Sequence, residues 1–271
     1  MTGWSFAFAL AFVAFLGAFA AGFLPRYLPT ARKELWPSTM AVSAGLLLAS
    51  AMVIVIPEGF EVLFLSHDPG VVPHSDTFLG LPPVLASGLA ILSGFLLMLG
   101  LEAKGFGHDI DLQRHMVKML SFGLGLHALT DGLALGASLA TGLMAITLPI
   151  LAAVMVHKVP VALGLGAFLW HERTSDDLNP LKLLLIFSLA TPVGLLVTFL
   201  FLRQLSHEWI GLLLLFSGGT FLYVATVEVL ARIRQQQQGF ILFTRVGTGV
   251  VFVVVSLILF QLFGFEAEFQ P

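Results

Sequence analysis

Long apolar runs recur along the whole chain, separated by charges and by proline-containing turns. A helix needs about 20 mostly apolar residues to cross a bilayer. Runs of that order or longer occupy residues 4–24, 39–65, 83–101, 117–140, 145–169, 183–202, 209–230 and 246–263. These eight runs predict eight transmembrane helices in an all-α bundle. They nearly use up the 271 residues and leave no room for a soluble domain, so residues 1–271 are read as a single membrane domain. Strands of a transmembrane barrel are excluded, since those are only about 10 residues of alternating polarity.

Composition agrees with the pattern. Hydrophobic residues make up 58% of the chain and charged ones 11%, against about 25% charged in a soluble domain. Mean hydropathy is +0.97. Too few polar side chains exist to coat a globule, which excludes an ordinary cytosolic enzyme, a nucleic-acid binder and a disordered protein. The absence of cysteine removes disulfides, thiolate metal sites and cysteine nucleophiles together. The first basic residue is Arg26, after the first run has ended. A cleavable leader would begin with a basic region, so run one is read as a true span.

The distribution of charge predicts an orientation. Eleven of the 13 Lys and Arg residues fall in the odd-numbered loops, counted with their flanks: Arg26, Arg32, Lys33, Lys104, Arg114, Lys118, Arg173, Lys182, Arg232, Arg234 and Arg245. The even loops hold only Arg203, and Lys158 lies within a span. The positive-inside rule then puts the odd loops in the cytoplasm and both termini outside, which an even number of spans requires. The four tryptophans (Trp4, Trp36, Trp170, Trp209) fall at span ends, where an aromatic belt belongs. A compact chain of this kind is expected in the cytoplasmic (plasma) membrane. Two loops carry His and Asp together, one with His67, Asp68, His74 and Asp76, the other with His108, Asp109, Asp111 and His115. Both read most simply as solvated loops.

Ionisable side chains inside spans are costly and point to function. Here they are Glu58, Glu61, His127, Asp131, His157, Lys158 and Glu228. His127 lies nine residues beyond Lys118, where span four begins, or about 14 Å along a helix. His157 lies ten residues beyond Thr147 on span five, which runs the other way, or about 15 Å. In a hydrocarbon layer about 30 Å thick, both histidines reach the midplane. His127 and Asp131 are four residues apart and share one helix face. Two imidazoles and one carboxylate make three N/O ligands, suited to Zn²⁺ and also to Fe²⁺, Mn²⁺ or Cd²⁺. The plainer reading pairs Asp131 with Lys158 and leaves the histidines as hydrogen-bonded packing groups. The two readings are compatible, with Lys158 neutralising surplus carboxylate beside the ion.

Other residues extend the picture. Glu58 and Glu61, in the outer part of span two, suit an acidic funnel or simply mark the interface. Met52, nearer the middle of that span, is a soft fourth ligand or a packing residue. Glu228, near the inner end of span seven, is an exit ligand or the partner of Arg232 at i+4. Pro160 and Thr191-Pro192 lie at comparable depth in spans five and six. There proline frees a backbone carbonyl, as a broken helix beside a cavity or as an ordinary kink.

Taken together, these segments resemble the ZIP (Zrt/Irt-like protein) family of divalent metal-ion transporters. HALTDGLALGAS from His127 is similar to that family's H-x-x-x-[DE]-G signature, and HKVPVALG from His157 to its H-K-x-P segment. GLLLASAMVIVIPEG in span two and FSGGTFLYVATVEVL in span seven are also family-like. The resemblance implies a fold in which the first three and last three helices form an inverted repeat around spans four and five. It implies cation movement into the cytoplasm, with His127, Asp131 and His157 as transport ligands. Members that hold two metals use Asn, Glu and Glu where this chain has Ala128, Val161 and Thr191. The pattern looks most like the branch with a non-acidic residue after H-K-x-P, and a single transport site is expected.

The sequence therefore predicts a transporter of divalent metal ions, zinc foremost, working in membrane lipid with no organic cofactor. A homodimer is compatible with it, since lipid-facing and partner-facing apolar surfaces look alike. Two alternatives stand beside this reading. One is a metal-binding sensor or receptor without flux. The other is an intramembrane metallohydrolase, against which stand the lack of H-E-x-x-H and of a general base beside the ligands.

Overall fold

The computed structural model describes residues 3–27, 36–65, 81–104, 112–140, 144–171, 179–201, 207–236 and 239–262. Each stretch contains one helical rod, and each rod corresponds to one apolar run. They are α1 (Gly3–Phe23), α2 (36–65), α3 (Pro83–Ala103), α4 (Leu112–Ala140), α5 (Met144–His171), α6 (Pro180–Phe201), α7 (207–236) and α8 (Phe240–Leu262). Several rods outrun their apolar windows: α4 begins five residues before Val117, and α8 six before Val246. Hydropathy marks the stretch that lipid tolerates. The helical hydrogen-bond ladder continues into polar residues beyond it.

Among the described residues six rods are long and apolar enough to cross a membrane. The helices that carry His127, Asp131 and His157, α4 and α5, lie deep in the bundle. Val117, Leu120, Leu124, Ala128, Leu135 and Leu139 along α4 are buried, as are Val161, Ala162, Leu165 and Phe168 along α5. A helix wrapped by protein has little lipid to face and tolerates polar residues that an outer helix cannot. The outermost rods show the opposite pattern. Leu89, Leu92, Leu96 and Leu97 of α3 and Val251, Phe252, Val255 and Leu259 of α8 are exposed, as a lipid-facing surface must be.

Packing follows an internal exchange of α1 with α6, α2 with α7, α3 with α8 and α4 with α5. Contact of α4 with α6 is matched by α5 with α1, α3 with α7 by α8 with α2, and α2 with α5 by α7 with α4. Glycines repeat the relation at atomic scale. A Cβ on Gly45 of α2 would strike the Val246 carbonyl, and one on Gly249 of α8 the Val42 carbonyl. On α3 and α7, Gly94 faces the Phe216 carbonyl and Gly219 the Ile91 carbonyl in the same way. Small residues let membrane helices approach backbone to backbone. The expected inverted repeat is thus present in the packing.

Both middle rods of the repeat carry a π-helical segment, Ser50–Val55 in α2 and Val224–Leu230 in α7. Pro57 lies just beyond the first, and its ring would clash with the carbonyl four residues back, that of Val53. Wider winding there relieves the clash. By contrast α5 and α6 run helical through Pro160 and Pro192. The broken-helix alternative at those prolines is not what the backbone adopts; the irregular turns lie in α2 and α7 instead.

At one end of the bundle, Trp170 Nε1 donates to the Gly22 carbonyl at 2.8 Å. The Arg26 guanidinium lies 5.2 Å from the Trp170 ring and 5.3 Å from that of Phe23. An indole with one polar edge, beside a base, is the chemistry expected at a membrane interface.

Candidate metal site

The centre of the bundle holds a buried polar cluster built from four helices. His127 and Asp131 come from α4, Lys158 from α5, Thr191 from α6 and Ser217 from α7. Exposure is 2% for His127, 2% for Asp131 and 1% for Lys158. The i,i+4 spacing puts imidazole and carboxylate on one face, with His127 Nε2 3.5 Å from Asp131 Oδ2. His127 Nδ1 is hydrogen-bonded to Ser217 Oγ at 2.8 Å. The Phe221 ring packs on the imidazole with centroids 4.5 Å apart, tilted 48°.

Lys158 carries the positive charge of the cluster. Its Nζ is 3.5 Å from Asp131 Oδ2, donates to Thr191 Oγ1, and lies 5.2 Å from the centre of the Phe187 ring. Thr191 Oγ1 in turn donates to the Ala128 carbonyl at 2.6 Å, tying α6 to α4. Glycines permit that closeness. A Cβ on Gly132 would collide with the Thr191 carbonyl, and one on Gly194 with the Leu129 carbonyl. A buried carboxylate is expensive unless it is paired and hydrogen-bonded, and here an ammonium accompanies it. The plainer reading of Asp131 as the partner of Lys158 is therefore realised. The pair leaves Asp131 beside His127, 3.5 Å from its Nε2.

The remaining expected ligands divide. His157 lies on α5, but its side chain is outside the described residues. Its neighbour Lys158 reaches Asp131 on α4, at 3.5 Å. Met52 is 53% exposed, whereas Ala51, Ile54 and Val55 beside it are buried. It does not join the cluster. The π-helical winding of Ser50–Val55 gives the turn an extra residue and shifts which side chains face inward. Glu58 is half-buried, and Glu228, in the π segment of α7, is buried. Among the described residues no three His, Asp or Glu side chains converge, so neither acid completes a trio with His127 and Asp131. The loop residues His67, Asp68, His74, Asp76, His108, Asp109 and Asp111 lie outside the described residues, as does the side chain of His115.

Two members of the cluster were not legible as such in the sequence. Ser217 stands in a run of small residues, Ser217-Gly218-Gly219, that reads as helix packing. Thr191 reads as a weak ligand, yet it acts as a hydrogen-bond bridge between three helices. Only the packing of α6 and α7 on α4 gives either its partner.

Comparison with known proteins identifies the family. A family model described as ZIP zinc transporter matches residues 104–259, which include α4, α5, α6 and α7. A protein of Micropogonias undulatus named zinc transporter ZIP9 is 34% identical over 255 residues, covering 80% of this chain and 82% of its own. Zinc transporter ZIP9-A of Xenopus laevis is 33% identical over 251 residues with the same coverage. Zinc transporter ZIP9 of Macaca fascicularis is 45% identical over a shorter stretch of 117 residues, 41% of this chain and 49% of its own. With its helical order, its inverted packing and a His/Asp pair at its core, the chain belongs to the ZIP family of zinc transporters.

Proposed function

We propose that the protein carries divalent metal ions, zinc foremost, toward the cytoplasm through one site made by His127, Asp131 and His157. The observation that carries this is the His127–Asp131 pair, buried to 2% exposure inside a membrane bundle and held on one helix face. Such groups are retained in a span where they serve a pathway or a proton relay. The relatives' names supply the ion, and the charge asymmetry of the loops supplies the orientation, with both termini outside.

A hydrated ion would exchange waters for the imidazole of His127, the carboxylate of Asp131 and His157. Three N/O ligands leave room for water, unlike a closed four-ligand structural cage. Lys158 bears on how tightly the ion is held. One carboxylate, one ammonium and a divalent ion sum to about +2, so the site offers little net attraction and releases its cargo. Conduction needs binding weak enough to leave. Ala128, Val161 and Thr191 supply no carboxylate or amide, and Thr191 Oγ1 is engaged with Lys158 and Ala128. That supports one transport site rather than two.

The test is Zn²⁺ influx into sealed proteoliposomes, followed with a trapped metal-sensitive dye. The unaltered protein and His157→Ala are compared. Influx that the variant loses supports a transporter with His157 on its path. Binding without flux in folded protein of both orientations would instead identify a sensor.

A further inference from the structure

The Ser217 hydroxyl is fully buried and meets the one ring nitrogen of His127 that does not face Asp131. A neutral imidazole that ligates a metal through one nitrogen carries its proton on the other. The partner of that second nitrogen sets the tautomer and the ring orientation. In this chain Nε2 faces Asp131 Oδ2 and Nδ1 faces Ser217 Oγ. A hydroxyl both donates and accepts. It can therefore donate to Nδ1 when Nε2–H points at Asp131, and accept from Nδ1–H when Nε2 turns to an ion.

The surroundings hold Ser217 to that task. Thr220 Oγ1 donates to the Ser217 carbonyl at 2.7 Å, stiffening the turn of α7 that presents it. Phe221, one turn further on, lies against the imidazole and limits rotation of the ring. Gly219 lets this part of α7 lie backbone to backbone on α3.

We propose that Ser217 is a positioning residue for the transported ion, holding His127 in the tautomer and orientation that offer Nε2 to the metal. The proposal rests on the reading of His127 as a transport ligand, and its test separates the two. Full-length protein in liposomes is assayed for Zn²⁺ influx as Ser217→Ala, Ser217→Thr and His127→Gln. Ser217→Ala removes one oxygen and no packing volume elsewhere. Loss of such an outer hydrogen bond lowers metal affinity or activity by about 10–100-fold, so KM for Zn²⁺ should rise by that order. Ser217→Thr keeps the hydroxyl and should recover most of the loss.

A spectroscopic readout distinguishes orientation from mere packing. With ¹⁵N-labelled histidine and Zn²⁺ bound, the unaltered protein should show His127 protonated at Nδ1 and metallated at Nε2. Ser217→Ala should lose that single signature. A Ser217→Ala protein with unchanged KM, or with the His127 signature intact, overturns the role of Ser217. If His127→Gln itself transports normally, the site reading falls and the proposal falls with it. If His127→Gln is inactive while Ser217→Ala is normal, only the proposal fails.

Discussion

Lys158 Nζ and Asp131 Oδ2 stand 3.5 Å apart at the centre of the bundle, on helices that run in opposite directions. Removing one member of a buried ion pair leaves the other uncompensated, at a cost of about 3–5 kcal/mol. Lys158→Met should therefore lower the melting temperature markedly in the absence of metal. Added Zn²⁺ should recover more stability in this variant than in the unaltered protein, because the ion then supplies the missing positive charge. Thermal unfolding in detergent with and without Zn²⁺ checks both halves.

His127→Ala should abolish Zn²⁺ influx while the protein still folds. It removes a proposed ligand and leaves the Lys158–Asp131 pair in place. Asp131→Asn should abolish flux and destabilise as well, since it strands the ammonium. Normal transport by either folded variant would show that the ion takes another path.

Met52→Ala should leave Zn²⁺ influx within about twofold, because a substitution at an outward-facing residue away from the buried cluster rarely changes stability much. At 53% exposure the thioether makes no part of the cluster. A large loss of flux in this variant would contradict the placement of Met52.

Thr191→Val removes the hydrogen bond from Thr191 Oγ1 to the Ala128 carbonyl while keeping the volume. The expected cost is about 1–3 kcal/mol, since a buried acceptor and the Lys158 donor both lose a partner. The shift in melting temperature of purified protein measures it.

Gly132→Ala drives a methyl into the Thr191 carbonyl, a backbone atom that cannot swing away. Forcing volume into a packed core costs about 1–3 kcal/mol. Because the same contact brings Thr191 to the Ala128 carbonyl beside His127, Zn²⁺ influx should fall together with stability. Gly88→Ala, where a Cβ meets nothing within 4 Å, serves as the control and should change neither.

The eight rods were legible because lipid imposes a single rule on every span. An apolar run of helical length has little other use, so residues 4–24 or 183–202 announce themselves. Their ends were less legible. Helix α8 begins at Phe240 and includes Arg245, since hydrogen bonding along a helix is indifferent to the charge that ends the apolar run. The site was legible where periodicity alone brings groups together, as for His127 and Asp131 on one face. Met52 was read from its place near the middle of span two, and depth does not fix the face, which the π-helical winding there shifts.

What the sequence by itself determined was the solvent, the eight helical rods, the shared face of His127 and Asp131 and the kinship of the motifs. Each follows from local rules of length, period and charge that hold whichever helices become neighbours. Only the tertiary structure decided that Lys158 meets Asp131 and Thr191, that Ser217 meets His127, and that α4 and α5 are sheathed while α3 and α8 face lipid. Those contacts join residues 27 to 90 positions apart. They depend on which glycines let which backbones touch, and that is settled by packing between helices rather than by any pattern within one.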